Sequence, residues 1–268
     1  MSTPAMTEQS HVVLNEVVRR YEGPPAVHAL GPINLTLRRG EFFSIVGPSG
    51  CGKSTLLDVL CGLVRPTSGS VHFEGRELGG EVPDGIGVVF QEDSSMPWLS
   101  VRQNVAFGLR TSAKPEKEIA ELVDHAVSFM GLAQFANHYP AQLSGGMRQR
   151  VCIARTLVLR PRLILLDEPF GALDQQTRLL MGDELLRLWR EIGATVLLIT
   201  HALDEAAMLS DRVGVMSARP GRFIDMVETG WPRDRDSRIV SDPEFGSFTA
   251  RLWSCLREES LKTMGRAA

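Results

Sequence analysis

Apolar and polar residues alternate from His11 to Tyr21, with Val12, Leu14 and Val17 set against Asn15, Glu16 and Arg19. That period of two predicts a strand with one face buried. Glu22-Gly23-Pro24-Pro25 reads as a turn, and residues 27–37 as a second strand running to the turn Arg38-Arg39-Gly40. Short apolar runs then occur at 42–46, 85–90, 163–166 and 195–199. Runs of that length suit parallel strands covered on both faces. Residues 71–74 form a shorter strand ahead of a loop at 75–84. Residues 212–217 and 223–228 supply two more strands around Arg219-Pro220-Gly221.

Between these runs the period lengthens to that of a helix. Residues 56–60, 101–109, 144–159 and 203–209 read as helices, and 116–130 carries Ile119, Leu122, Val123, Ala126, Val127 and Met130 at helical spacing. Residues 175–192 form a longer helix closed by Gly193. A charged linker, Pro232-Arg233-Asp234-Arg235-Asp236, leads to a last helix started by Asp242 and Pro243, with Phe245, Phe248, Leu252 and Leu256 on one face. Strands alternating with helices predict a parallel sheet with helices on both faces. The expected organisation is a disordered N-terminus (1–11), an α/β core in two pieces (12–92 and 161–230), a helical insertion (93–160) and a C-terminal linker and helix (231–268). The last helix either packs on the core or regulates assembly; the pattern leaves both open.

Composition narrows the picture a little. The 268 residues are 43% hydrophobic and 23% charged with a net charge of −3, ordinary values for a globular chain. No basic surplus marks a nucleic-acid partner. The four cysteines (Cys51, Cys61, Cys152, Cys255) have neither metal-site nor disulfide spacing, which fits a reducing compartment. The polar first ten residues lack the basic-then-apolar form of a signal peptide. No apolar run approaches the ~18 residues of a membrane span, so a membrane role requires a partner.

The chemistry starts at Gly47-Pro48-Ser49-Gly50-Cys51-Gly52-Lys53-Ser54-Thr55, lying between an apolar strand and a helix. Gly-x4-Gly-Lys-Ser in that context is a phosphate-binding loop, or P-loop. Glycines let successive backbone N–H groups converge on phosphate, and the helix dipole favours the anion. Lys53 is placed to reach the β- and γ-phosphates, and the Ser54 hydroxyl to ligate Mg²⁺. The run ending in Asp167-Glu168 supplies the other half of a nucleotide site. Asp167 is expected to hold Mg²⁺ through water, and Glu168 to orient and deprotonate a water near the γ-phosphate. Leu143-Ser144-Gly145-Gly146-Met147-Arg148-Gln149 offers a second anion site at a helix start. One subunit has no use for two, so a head-to-tail dimer sharing these loops is the economical solution. A plain helix cap is the competing reading for both stretches.

With these residues in place the chain resembles an ABC-transporter ATPase subunit from about Val12 to Glu228. The match comprises Walker A at 47–55, the Leu-Ser-Gly-Gly-type signature at 143–149 and Walker B at 163–167. The implied fold is α/β: a P-loop NTPase core, with a RecA-like parallel sheet and an N-terminal antiparallel β subdomain, plus an inserted α-helical subdomain. The resemblance assigns Glu168 as catalytic base, Gln91 to the Q-loop near Mg²⁺ and water, His201 as the switch histidine, Leu173-Asp174 to the D-loop and Tyr21 to adenine stacking. Leu143, Ser144, Gly145, Gly146 and Gln149 would meet the partner subunit's ATP. Taken alone, Gln91 reads as a solvated strand end and His201 as structural; Arg20 or Phe42 competes with Tyr21 for the base.

The family implies ATP and Mg²⁺, a homodimer at the cytoplasmic membrane face, permease subunits docked in a groove beside Gln91, and a solute-binding protein met only indirectly. Trp98 belongs either to the core or to that groove. The run 89–101, the stretch Ser217-Ala218-Arg219-Pro220-Gly221 and the charged tail are similar to the nitrate/sulfonate/taurine import branch. Weaker alternatives are an ABC ATPase for another solute, a non-transport ABC ATPase and a small-molecule kinase.

Overall fold

A computed structural model describes residues 10–91, 94–171, 173–263 and 265. Two sheets organise it. Strands β1 (Ser10–Tyr21), β2 (Val27–Arg38), β3 (Phe42–Val46), β4 (Ser68–Phe73) and β5 (Arg76–Glu77) lie in the first third. β1 pairs antiparallel with β2 on one side and β4 on the other, with Leu14 opposite both Leu35 and Val71. β5 continues this sheet from β4. The larger sheet takes β3 together with β6 (Ile86–Val89), β7 (Leu163–Asp167), β8 (Thr195–Ile199), β9 (Arg212–Met216) and β10 (Phe223–Glu228), in the order β10-β9-β3-β8-β7-β6. All its pairings are parallel except β9 with β10.

Every residue of β3, β7 and β8 is buried, as their unbroken apolar runs require. Their side chains alternate between two cores. Phe43, Ile45, Leu163, Leu165, Leu197 and Ile199 face the antiparallel sheet and helix α1 (Lys53–Leu60). Phe42, Ile164, Leu166, Val196 and Leu198 face α5 (Gln175–Ile192) and the helical insertion, α2 (Val101–Ala106), α3 (Glu116–Phe129) and α4 (Gly145–Leu157). The chain is therefore an α/β P-loop fold with an antiparallel β subdomain and a helical arm.

Several expectations shift. His11, read both as the start of the first strand and as the end of a disordered N-terminus, is a buried residue of β1 bonded to the Thr195 hydroxyl; residues 1–9 lie outside the described residues. β4 starts three residues earlier than expected because the polar Ser68 and Ser70 pair with Val18 and Asn15 of β1. β6 is shorter than its apolar run, since Phe90 leaves the sheet and is 42% exposed. α2 tightens to a 3₁₀ turn at Phe107–Thr111, where Gly108 packs under Leu159.

The largest correction is the charged linker. Arg235 is wholly buried (side chain 0% exposed), bonded to Asp211 at 2.8 Å and to the carbonyls of Met208 and Leu209. Those two carbonyls lie at the C-terminal end of α6 (Leu203–Leu209), where backbone acceptors lack helical partners. The guanidinium fills that need. The last helix, α7 (Pro243–Thr263), then packs on α6 and β9 through Phe245, Phe248, Leu252 and Leu256.

Candidate functional site

The C-terminal ends of β3, β7 and β8 lie side by side, so the loops leaving them converge. β3 delivers the loop 47–52 and then α1. Gly52 stands at the helix start with φ 111°, and a Cβ there would lie 2.7 Å from the Ala29 carbonyl, so the position accepts only glycine. Cys51 is buried, and its amide closes a turn onto the Pro48 carbonyl at 3.3 Å. Burial pushes its thiol pKa up. Lys53 is buried with its Nζ donating to the carbonyls of Gly47 (2.9 Å) and Pro48 (3.1 Å).

β7 delivers Asp167 and Glu168. Asp167 is buried with the Ser54 side chain beside it, and its Oδ1 has no protein partner. Burial raises its pKa above the usual carboxylate range. A buried orphan oxygen beside a serine hydroxyl suits a hard cation, whose ligands are oxygens. Glu168 is held at φ 47°, its amide bonded to the Ile199 carbonyl at 2.9 Å. Its Oε2 accepts from Gln91 Nε2 at 2.9 Å, and its Oε1 lies 2.5 Å from His201 Nε2. Burial first, then the charge of Lys53, lowers the His201 pKa. Nε2 faces the carboxylate, so a proton on Nε2 is donated to Glu168.

Lys53, Gln91, Glu168 and His201 line one cavity of 340 Å³, together with Tyr21, Ser49, Gly50, Gly52, Ser54 and Thr55. Tyr21 lines it with the Arg19 guanidinium 4.4 Å from its ring centre, so one face is already covered. Arg20 and Phe42 do not line the cavity, and Phe42 packs edge-on to Trp189 in the core. Three lining residues, Val27, Ala29 and Arg219, were not among the expected site residues. Arg219, from the turn between β9 and β10, donates two hydrogen bonds to the Gly50 carbonyl.

The signature residues lie elsewhere. Ser144 caps α4 by accepting from the Met147 amide, and Ser144 and Gly145 are exposed. Leu143 is buried, with its carbonyl accepting from Arg148. Gln149 Nε2 is buried without a protein partner. The start of α4 packs against Leu173, since a Cβ on Gly146 would come within 2.8 Å of that side chain. Asp174, next in line, caps α5 through the Thr177 amide and hydroxyl. These two helix starts form one surface separate from the cavity wall. Trp98 is 72% exposed, which removes the core reading for it.

The sequence profile of the ABC transporter family matches residues 30–171. The chain is 40% identical to the nitrate import ATP-binding protein of Synechocystis sp. over 92% of its length and 95% of that protein. It is 41% identical to the taurine import ATP-binding protein of Roseobacter denitrificans, covering 94% and 96%. Among solved structures, a dimeric ATP-binding cassette in a post-hydrolysis state, bound to ADP and Pi, superposes with a TM-score of 0.74 at 34% identity, covering 82% of this chain and all of that one.

Proposed function

The chain belongs to the ABC transporter family, as an ATP-binding, ATP-hydrolysing subunit, and on that premise we propose that it powers import of a small anion, a sulfonate, taurine or nitrate, through a separate permease. The observation carrying the mechanism is the division of its site residues. Lys53, Ser54, Glu168, His201 and Gln91 line one cavity, with Asp167 buried next to Glu168 in the chain, while the capped helix starts at Ser144 and Asp174 face outward on another surface. Two copies arranged head to tail bring each outward surface over the other's cavity.

In this reading the loop N–H groups and Lys53 hold the ATP phosphates, and Tyr21 offers its open face to adenine. Ser54, Asp167 and Gln91 would hold Mg²⁺, which when bound neutralises charge on the phosphate oxygens. Glu168 accepts the proton of the attacking water. Its two oxygens have about four acceptor sites. Gln91 and His201 occupy two, orient the carboxylate and leave room for water. Ser144, Gly145, Gly146 and Gln149 contact the partner's nucleotide. Exposed Phe90, next to Gln91 in the chain, and exposed Trp98 fit a permease contact. No helix among the described residues is long and apolar enough to cross a membrane, in keeping with peripheral attachment.

The substrate reading rests on what the relatives are named for. A strain lacking the gene is grown on taurine, alkanesulfonates, nitrate or sulfate as single sulfur or nitrogen sources. We expect growth to fail on one sulfonate, on taurine or on nitrate. Wild type restores it and Glu168→Gln does not, because losing the general base slows hydrolysis roughly 10²–10⁴-fold. Normal growth on every source removes the substrate assignment; near-wild-type hydrolysis by Glu168→Gln removes the catalytic one.

A further inference from the structure

The turn between β9 and β10 joins two parts of the molecule that the proposed mechanism leaves unconnected. On one side, Arg219 donates to the Gly50 carbonyl from Nε at 3.0 Å and from Nη2 at 2.9 Å. The other end of that peptide, the Cys51 amide, bonds to the Pro48 carbonyl. The peptide at the apex of the phosphate loop is thus held at both ends, and the guanidinium supplies one of them. On the other side, the Ala218 amide donates to Glu259 Oε2 at 2.7 Å. Glu259 belongs to α7 and is buried; its other oxygen, Oε1, pairs with Lys262 one turn on, so Oε2 is the oxygen that reaches the turn. The turn is further fixed to β2, through Gly221 N–H to the Ala29 carbonyl (3.0 Å) and Gly31 N–H to the Gly221 carbonyl (2.9 Å).

We propose that Arg219 is a positioning residue of the nucleotide site and that α7, through Glu259, holds it there. The inference rests on the ATP-binding reading above and gives the C-terminal helix a task. A loop whose apex peptide is already oriented loses less freedom when phosphate arrives, so its affinity is higher. The fork geometry matters: arginine places two donors on one carbonyl oxygen, which a lysine ammonium cannot reproduce. Glu259 touches neither nucleotide nor phosphate loop and acts only through Ala218 and Arg219.

The test is titration of the full-length protein with a fluorescent ATP analogue and Mg²⁺, paired with steady-state hydrolysis and a melting curve for each variant. Arg219→Ala raises Kd and KM roughly two- to tenfold, the range of one net hydrogen bond, with kcat at saturating ATP retained. Arg219→Lys recovers part of the loss. Glu259→Ala raises Kd similarly, Glu259→Gln keeps an acceptor for Ala218 and stays near wild type, and in an Arg219→Ala background Glu259→Ala adds little. Unchanged affinity in Arg219→Ala, or effects that multiply in the double variant, overturn the proposal. Lys53→Ala is the control: wild type binding no tighter than that variant overturns the ATP-binding reading and the inference with it. Tight wild-type binding that is indifferent to Arg219 overturns the inference alone.

Discussion

Glu205 is a residue whose chemistry the fold alters strongly. It lies in the first turn of α6, with Oε2 accepting the Thr200 hydroxyl at 2.7 Å and Oε1 buried without a partner. Thr200 in turn accepts from the Ala202 amide, so the carboxyl supports the backbone that carries His201. Burial pushes the Glu205 pKa up to about 7 from an ordinary 4.5. The folded protein thus binds a proton there that the unfolded chain releases. This contribution is fully present below about pH 4.5 and is lost as pH rises through 7. His201 acts in the opposite sense: its lowered pKa costs stability as pH falls below the ordinary imidazole value. We expect Glu205→Gln, which keeps an acceptor for Thr200, to melt above wild type at pH 8 and close to it at pH 5. Melting curves across that range test this, with His201 cancelling between the two proteins; parallel pH profiles contradict it. Nothing in the order of residues marks Glu205, because an acid in a first helical turn ordinarily reads as favourable to the helix dipole.

At the scale of elements, helix starts carry two tasks at once. Ser144 and Asp174 cap α4 and α5 as any good N-cap does, and the same exposed positions form the outward surface assigned to the dimer. The cap reading of these stretches is met, and the contact with a partner's nucleotide belongs to the proposed dimer. Helix α7 is a clearer case of burial deciding structure. Leu252 is fully buried between α6 and β9, with Leu256 one turn on. Leu252→Ala is expected to cost roughly 2–5 kcal/mol, by lost transfer energy and the cavity left behind. Trp253, adjacent but 53% exposed, falls within about 0.5 kcal/mol when changed to Ala. Chemical denaturation of the two variants distinguishes a helix docked on the core from one loosely attached. Equal effects would contradict the docked arrangement.

At the scale of the whole molecule, a divided site predicts how activity depends on concentration. If each cavity is completed by a second copy, hydrolysis per subunit rises with protein concentration until the dimer saturates. A rate per subunit that stays constant under dilution across the dimer's dissociation range contradicts the shared site. The main strands and most helices were legible because burial imposes its period on neighbouring residues: β7 and β8 could be read from five residues each, and α5 from its spacing and Gly193. Lys53, Ser54, Asp167 and Glu168 were legible because a phosphate loop and a strand-tip carboxylate are local patterns. Gln91 and His201 needed the family resemblance, and the structure places both against Glu168. The sequence by itself thus determined the elements, the phosphate loop and the family. Only the tertiary structure decided that Arg235 is an interior anchor, that α7 docks on the core, and that Arg219 grips Gly50 from 169 residues away. Charged residues in a linker or turn have no hydrophobic period to announce their burial. Most of their partners are backbone carbonyls, which every residue possesses and no sequence pattern marks.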